Sequence, residues 1–441
     1  MPALTVNAAR IVTPTASLRH LATLVVVATL PLTYAMTVRV IFPIKIYEVL
    51  LVFCVLLAAW EGRLVLAPGL GRFARPIVAF LGWSVAVLCI RLAVPLDSFT
   101  TSGFDARVGP VGDAVIKVAY WLLALFAFLL VATAAYEDSR RVARWWCIGA
   151  ICAATYGWLL LLSSVFLLPA PLLPGMASPQ IINIAGRELF RGGTFQEGNY
   201  FSMYLLTSLA VALWLRWRWT AVFMATTVFI TFSTANVIAL ALFGCIYVIG
   251  VGAQERDPRG KFYAAAFFLV LTSLVAGVLV ATGYVSEFFV AKLATEEFGS
   301  KLDRLDLAVA AARMSADHPI LGVGLSHYGY NYRPYQLTDF FDRTRDVKPI
   351  ANNPWFELVA ETGLVGLAII VTFCRRVWMK ASGSAGLPFR AGVAAVALGL
   401  FTFPSITVLF IWAFCGLAVG VRLREELAAG RNVAIGDAVS A

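Results

Sequence analysis

The chain has 441 residues, of which 60% are hydrophobic and 14% charged. That leaves too little polar surface to cover a water-soluble globule and predicts an all-α integral membrane protein. The net charge of +10 would suit nucleic acid in a soluble chain, but twenty of the thirty-five Lys and Arg residues fall in short loops and tails on one side of the expected membrane. Topology therefore accounts for most of the charge, and nucleic acid is not an expected partner. The seven cysteines lie in or beside apolar runs and read as packing residues.

Apolar runs long enough to cross about 30 Å of hydrocarbon occur at roughly 20–38, 40–60, 76–95, 114–136, 145–168, 198–215, 219–234, 236–252, 262–282, 354–374, 389–404 and 405–421. The seventh and eighth are short and Pro404 interrupts the last pair, so ten to twelve transmembrane helices are expected. Residues 1–282 would carry spans one to nine with an outer loop at about 169–197. Residues 283–354 would form a large outer loop, 355–421 spans ten to twelve, and 422–441 a tail. Basic residues resist translocation, and Arg72, Arg75, Arg140, Arg141, Arg144, Arg216, Arg218, Arg375, Arg376, Lys380 and Arg390 all fall on one side. That side is expected to be cytoplasmic, together with both termini.

Lys45 and Lys117 break the pattern, each one or two turns inside the outer end of a span, where a lone ammonium is costly. Glu48 lies three residues after Lys45, which allows a local ion pair, and Glu357 with Glu361 makes an acidic stripe on the tenth span. Together these charges predict a polar basin opening to the outer leaflet. Its contents should be a lipid with a phosphate-bearing headgroup, for which arginine is the better clamp. Arg187 and Arg191, four apart, would share a face on a helical turn. The run from Arg191 through Gly192, Gly193 and Glu197 to Asn199 follows, with glycines that let a backbone approach an anion closely.

Within the long loop, Ser300 and Asp303 form a capping pattern, and Leu302, Leu305, Val309 and Ala312 recur at helical spacing until Pro319. An amphipathic helix at the outer interface is expected there. An aromatic stretch follows with Tyr328, Tyr330, Tyr332, Tyr335, Phe340 and Phe341. Such rings suit either sugar stacking or headgroup depth.

Three motifs in order, Arg191-x-x-Gly-x-Phe-x-x-x-Asn199, Asp317-His-Pro-Ile-Leu-Gly-Val-Gly324 and Asn352-Asn-x-x-Phe-x-x-x-x-Glu-Thr-Gly-Leu-Val-Gly366, resemble the signatures of the O-antigen ligase and Wzy-type polymerase superfamily. The resemblance covers residues 190–370 directly and the rest in outline. It implies a GT-C-like fold and glycan transfer from an undecaprenyl-diphosphate carrier at the periplasmic face of the bacterial inner membrane, with no metal, cofactor or nucleotide sugar. Partners would be the lipid-linked oligosaccharide, the growing glycan or lipid acceptor, membrane lipids, and chain-length regulators or export proteins.

The chain departs from the ligases of this family, which open the third motif with a His-Asn pair, because it has Asn352-Asn353 and an amide cannot act as a general base. Where the family carries an arginine after a serine beyond the seventh span, this chain has Ser233-Thr-Ala-Asn236. Both differences favour a polymerase of repeat units over a ligase. The expected catalytic residues are Arg191, Glu197, His327 and Asn352, with Arg191 stabilising the leaving diphosphate and Glu197 ahead of His327 as base. Arg187, Arg304, Arg313, Lys45, Lys117, Asn199, Asn353 and Glu357 are expected to bind substrate, and no residue to bind metal. A flippase or other carrier is the alternative of another class, disfavoured because the charges crowd one face and the chain shows no obvious repeat.

Overall fold

The computed structural model describes residues 18–39, 43–60, 66–101, 108–176, 178–184, 187–254, 295–337, 348–383 and 385–440. Eleven α-helices form among them: α1 Leu18–Thr29, α2 Ile46–Trp60, α3 Gly71–Ala93, α4 Gly109–Val165, α5 Gly198–Trp214, α6 Arg218–Ile230, α7 Thr234–Gln254, α8 Thr295–Asp317, α9 Pro354–Lys380, α10 Leu387–Gly399 and α11 Leu409–Ser440. Two small antiparallel hairpins accompany them, β1 Val38–Arg39 with β2 Pro43–Ile44 and β3 Ile181–Ile184 with β4 Arg187–Phe190. The ninth expected span, 262–282, lies outside the described residues, as do Phe340 and Phe341.

By length and composition four described helices can cross a membrane: α3, α4, α7 and α9. The longest, α4, has 57 residues and would extend about 85 Å if straight, well over twice the hydrocarbon thickness. It breaks at Asp138 (φ −147°, ψ 84°), so the fourth and fifth expected spans are its two arms. The first two expected spans are shorter in helix than the apolar runs suggest. Pro31 follows the end of α1, and residues 30–39 form turns and strand β1 while 43–45 lead from β2 into α2.

The core is a bundle centred on α4, which packs chiefly on α11 and α1, while α5 joins α6 to α10 and α9 lies on α3. Small residues set the closest crossing. Gly416 and Gly420 bring α11 against α4, where a Cβ would come within 2.4 and 2.3 Å of the carbonyl oxygens of Phe128 and Ala132. Trp121, Phe128, Trp146, Tyr204, Phe373 and Trp412 fill the middle of the bundle in contacting aromatic pairs.

The ends of the bundle differ. At one, basic side chains meet carboxylates and carbonyls across helices: Arg19 Nη2 lies 2.8 Å from Glu137 Oε1, Lys380 pairs with Glu426, and Arg422 Nε donates to Lys380 O at 3.4 Å. At the other, the β3–β4 hairpin, residues 318–337 and 348–353, and α8 form a cap. The buried face of α8 is Asp306, Leu307, Ala310, Ala311 and Met314, packed on Val323, Tyr328, Tyr332 and Ala360. This corrects the expected apolar stripe. Leu305 is 54% exposed, Val309 is only partly buried and Ala312 is exposed, because the helix answers to the tyrosines beneath it and not to its own most apolar face. The helix also begins at Thr295, so Ser300 is an interior residue and not its cap.

Candidate functional site

The first motif turns sharply from β4 into α5. Arg191 leaves β4 with its N–H bonded to Gln180 O at 3.0 Å, and its Nε donates to Gln180 Oε1 at 2.9 Å. The same amide oxygen accepts Gly198 N–H at 2.8 Å, so one glutamine holds the arginine and the start of α5 together. Sequence reading missed Gln180, because nothing in its local pattern marks it. The glycines here serve close packing: a Cβ on Gly192 would meet Phe195 O at 2.6 Å and one on Gly193 the Phe201 ring at 2.8 Å. Phe195 anchors the turn in the core against Phe201, Tyr204 and Phe410.

Glu197 is the N-cap residue of α5 but bonds no helix N–H with its side chain. Burial pushes its carboxyl above the ordinary carboxylate range, and the charges of Arg191 and Arg304 pull it partly back. Arg191 and Arg304 therefore lie within electrostatic range of Glu197, and Gln180 ties Arg191 to the start of α5 beside it. Arg187 does not share a helical face with Arg191 as expected. It opens β4, opposite Ile184, and four residues of strand place the two about 13 Å apart. Arg187 is exposed and Arg191 half-buried. Asn199 stands in the first turn of α5, where its carbonyl accepts Asn236 Nδ2 at 3.2 Å.

Beside this turn lies a cavity of ≈300 Å³ whose wall includes Lys45, Tyr47, Glu48, Lys117, Tyr120, Gln196, Tyr200 and Thr407. Both lysines are paired. Lys45 Nζ is 3.3 Å from Glu48 Oε1, and Lys117 Nζ is 2.5 Å from Glu357 Oε1. Lys45 is also 5.7 Å from the centre of the Tyr120 ring. Tyr200 stands within electrostatic reach of both Glu197 and Glu357, linking the arginine group to the cavity.

The second and third motifs interlock. α9 breaks at Gly363 (φ 68°, ψ −176°), which frees the carbonyls of the turn before it. Those oxygens are taken from outside the helix: Ala360 O by Val323 N at 2.8 Å and Glu361 O by Gly324 N at 3.0 Å, and Thr362 O by Trp83 Nε1 at 2.8 Å. In return Leu364 N donates to Pro319 O at 2.8 Å. Gly322 (φ 70°) sits where a Cβ would lie 2.5 Å from Glu361 C, and its carbonyl accepts Arg91 Nη2 at 2.6 Å. The two motifs are thus a backbone clasp between the loop and α9.

Several expected site residues are engaged inside the cap. His327 is 2% exposed and packs on Phe99 and Tyr330. Burial and the nearby Lys348 push its imidazole down to about 4, so it is neutral near pH 7 and a weak base. Arg313 Nη1 donates to Tyr335 O and Gln336 O, both at 3.2 Å, tying α8 to the loop. Asn353 caps α9, its Oδ1 accepting Trp355 N at 3.1 Å and Phe356 N at 3.3 Å. Asn352 precedes it, half-buried with φ 50°, a left-handed conformation that asparagine tolerates better than most residues. Tyr328, Tyr330 and Tyr332 are buried, their hydroxyls bonded to Leu307 O at 2.7 Å, to Asp113 at 2.7 Å and to Asp306. They form the core of the cap and present no stacking face outward.

No curated protein matches the chain. Residues 219–371 match the family model described as O-antigen ligase, a stretch that runs from α6 into α9 and includes both halves of the clasp. The long apolar helices agree with that match in describing a membrane protein. Residues 219–371 thus resemble an O-antigen ligase domain, in line with the three motifs read from the sequence.

Proposed function

We propose that the protein is a polymerase at the periplasmic face of the bacterial inner membrane, joining undecaprenyl-diphosphate-linked oligosaccharide units into O-antigen or exopolysaccharide. The observation that carries this reading is that Arg191, held by Gln180 at the start of α5, and Arg304 lie within electrostatic range of Glu197, beside a cavity rich in hydroxyl and charged groups. An acceptor sugar hydroxyl attacks the anomeric carbon of the donor as the bond from that carbon to the diphosphate oxygen breaks. The hydroxyl proton passes to Glu197, whose raised carboxyl is a better base than a solvated one. The electron pair leaves with the diphosphate, whose growing charge Arg191 and Arg304 stabilise more than they stabilise the bound donor. Arg187, exposed on the hairpin, would meet the carrier headgroup.

The test is Arg191→Ala in the producing strain. Lipid-linked single repeat units should accumulate and polymer vanish while the protein level holds, and polymer of normal length would remove Arg191 from the reaction. A second reading, transfer of finished glycan to a lipid acceptor, is favoured by the family description. A deletion strain separates the readings: single units indicate a polymerase, finished polymer a ligase, and an intermediate confined to the cytoplasmic leaflet a flippase.

A further inference from the structure

The cavity beside Glu197 differs in charge from the arginine group next to it. Its two lysines are each engaged by a carboxylate, Lys45 by Glu48 in the wall and Lys117 by Glu357 outside it, so neither ammonium is an unpaired cation. A diphosphate placed there would face Glu48 as well as Lys45, and would have to break buried pairs to be held. The rest of the wall suits hydroxyl-bearing ligands. Tyr120, Tyr200, Gln196 and Thr407 supply aromatic edges, an amide and hydroxyls.

Glu48 adds an independent sign. It is 6% exposed and lines the cavity. Its Oε2 accepts the Lys45 N–H at 3.0 Å, and its Oε1 has the Lys45 ammonium at 3.3 Å. A carboxylate has about four lone-pair sites, so one that lines a cavity can accept further hydroxyl donors from a ligand. A volume of ≈300 Å³ is at the small end of ligand sites, which run from about 300 to 1,000 Å³, and so fits a sugar ring but not a polymer.

We propose that this cavity is the acceptor-side carbohydrate subsite, taking an uncharged sugar whose hydroxyls donate to Glu48, while the diphosphate is held apart at Arg191 and Arg304. The acceptor role rests on the glycan-transfer reading above; the preference for a neutral sugar rests on the charge pairing alone. It divides the site into a cationic leaving-group side and a neutral sugar side, joined at Glu197 and Tyr200.

The experiment uses the full chain in detergent and the phosphate-free oligosaccharide released by mild acid from the host's own lipid-linked fraction, with binding read by saturation-transfer NMR. The oligosaccharide should bind, inorganic pyrophosphate should not displace it, and Glu48→Gln should weaken it about tenfold. Glutamine keeps an acceptor for the Lys45 N–H, so the start of α2 should fold. Thr407→Val, which removes a hydroxyl from the cavity wall, should weaken binding as well, and Arg191→Lys should not. Displacement by pyrophosphate, unchanged binding in Glu48→Gln, or no binding to the unmodified chain would each overturn the proposal. Binding without transfer of units in a parallel turnover assay would leave the subsite standing and remove the transferase reading.

Discussion

Glu197 shows how one position acquires chemistry from its surroundings. As the residue before α5 it could have capped the helix, yet its side chain leaves those N–H groups alone and sits near two arginines that enter from the β4 end and from α8. If it is the base, activity requires the ionised form and is lost as pH falls through a midpoint above that of a solvated carboxylate, about 4.3. The direction follows from burial, which favours the neutral acid. Glu197→Gln should lower turnover by about two orders of magnitude, within the usual range for a positioned base, and leave donor binding intact. The acidic limb of the pH profile should disappear in whatever activity remains. A rate profile of the unmodified protein with no such limb would move the base elsewhere. His327 is a weaker alternative, enclosed by Phe99 and Tyr330 and already neutral well below pH 7.

At the scale of elements, the clasp between the 318–324 turn and the break in α9 connects the cap to the bundle. Opening a helix inside an apolar bundle leaves carbonyls that must find donors, and here two loop amides and one indole supply them. The same clasp holds Glu357 and Glu361 in the two turns before the break, with Glu357 placed to meet Lys117. Gly363→Ala tests this. Its backbone lies where only glycine is comfortable, a cost of about 1–3 kcal/mol, and the new methyl would stand 2.0 Å from Ile320 O. The variant should unfold at lower temperature in detergent and lose the Lys117–Glu357 geometry, so transfer should fall with stability. Unfolding at the normal temperature would show that the clasp is dispensable. Its sequence trace was legible as two glycine-bearing motifs, but their mutual hydrogen bonds were not, because residues some forty apart reveal no pairing through local spacing.

Across the whole molecule, charge divides the two ends. One is cross-braced by Arg19 with Glu137, Lys380 with Glu426 and Arg422 with the Lys380 carbonyl, and the other carries the hairpin, the cap and the cavity. If the orientation read from the basic loops holds, Glu188→Cys on the exposed hairpin should react with an impermeant maleimide in intact spheroplasts. Arg140→Cys, beside the break in α4, should react only after permeabilisation. The native cysteines all lie within helices, which keeps the background low. Reaction in the opposite order would put the arginine group in the cytosol and end the proposed mechanism.

The membrane class, the helical character and the resemblance to O-antigen ligases over residues 219–371 were readable from the chain alone. Hydrophobic content and run length are set by the solvent each segment must enter, and a motif keeps its order whatever the packing. The pairing of Lys117 with Glu357 across 240 positions, the glutamine that fixes Arg191, and the inward turn of the tyrosines were decided only in three dimensions. Side-chain partners depend on which helices cross and where they break. The face that α8 buries was misread for the same reason, since the tyrosines beneath it lie in a later segment and selected a stripe containing Asp306.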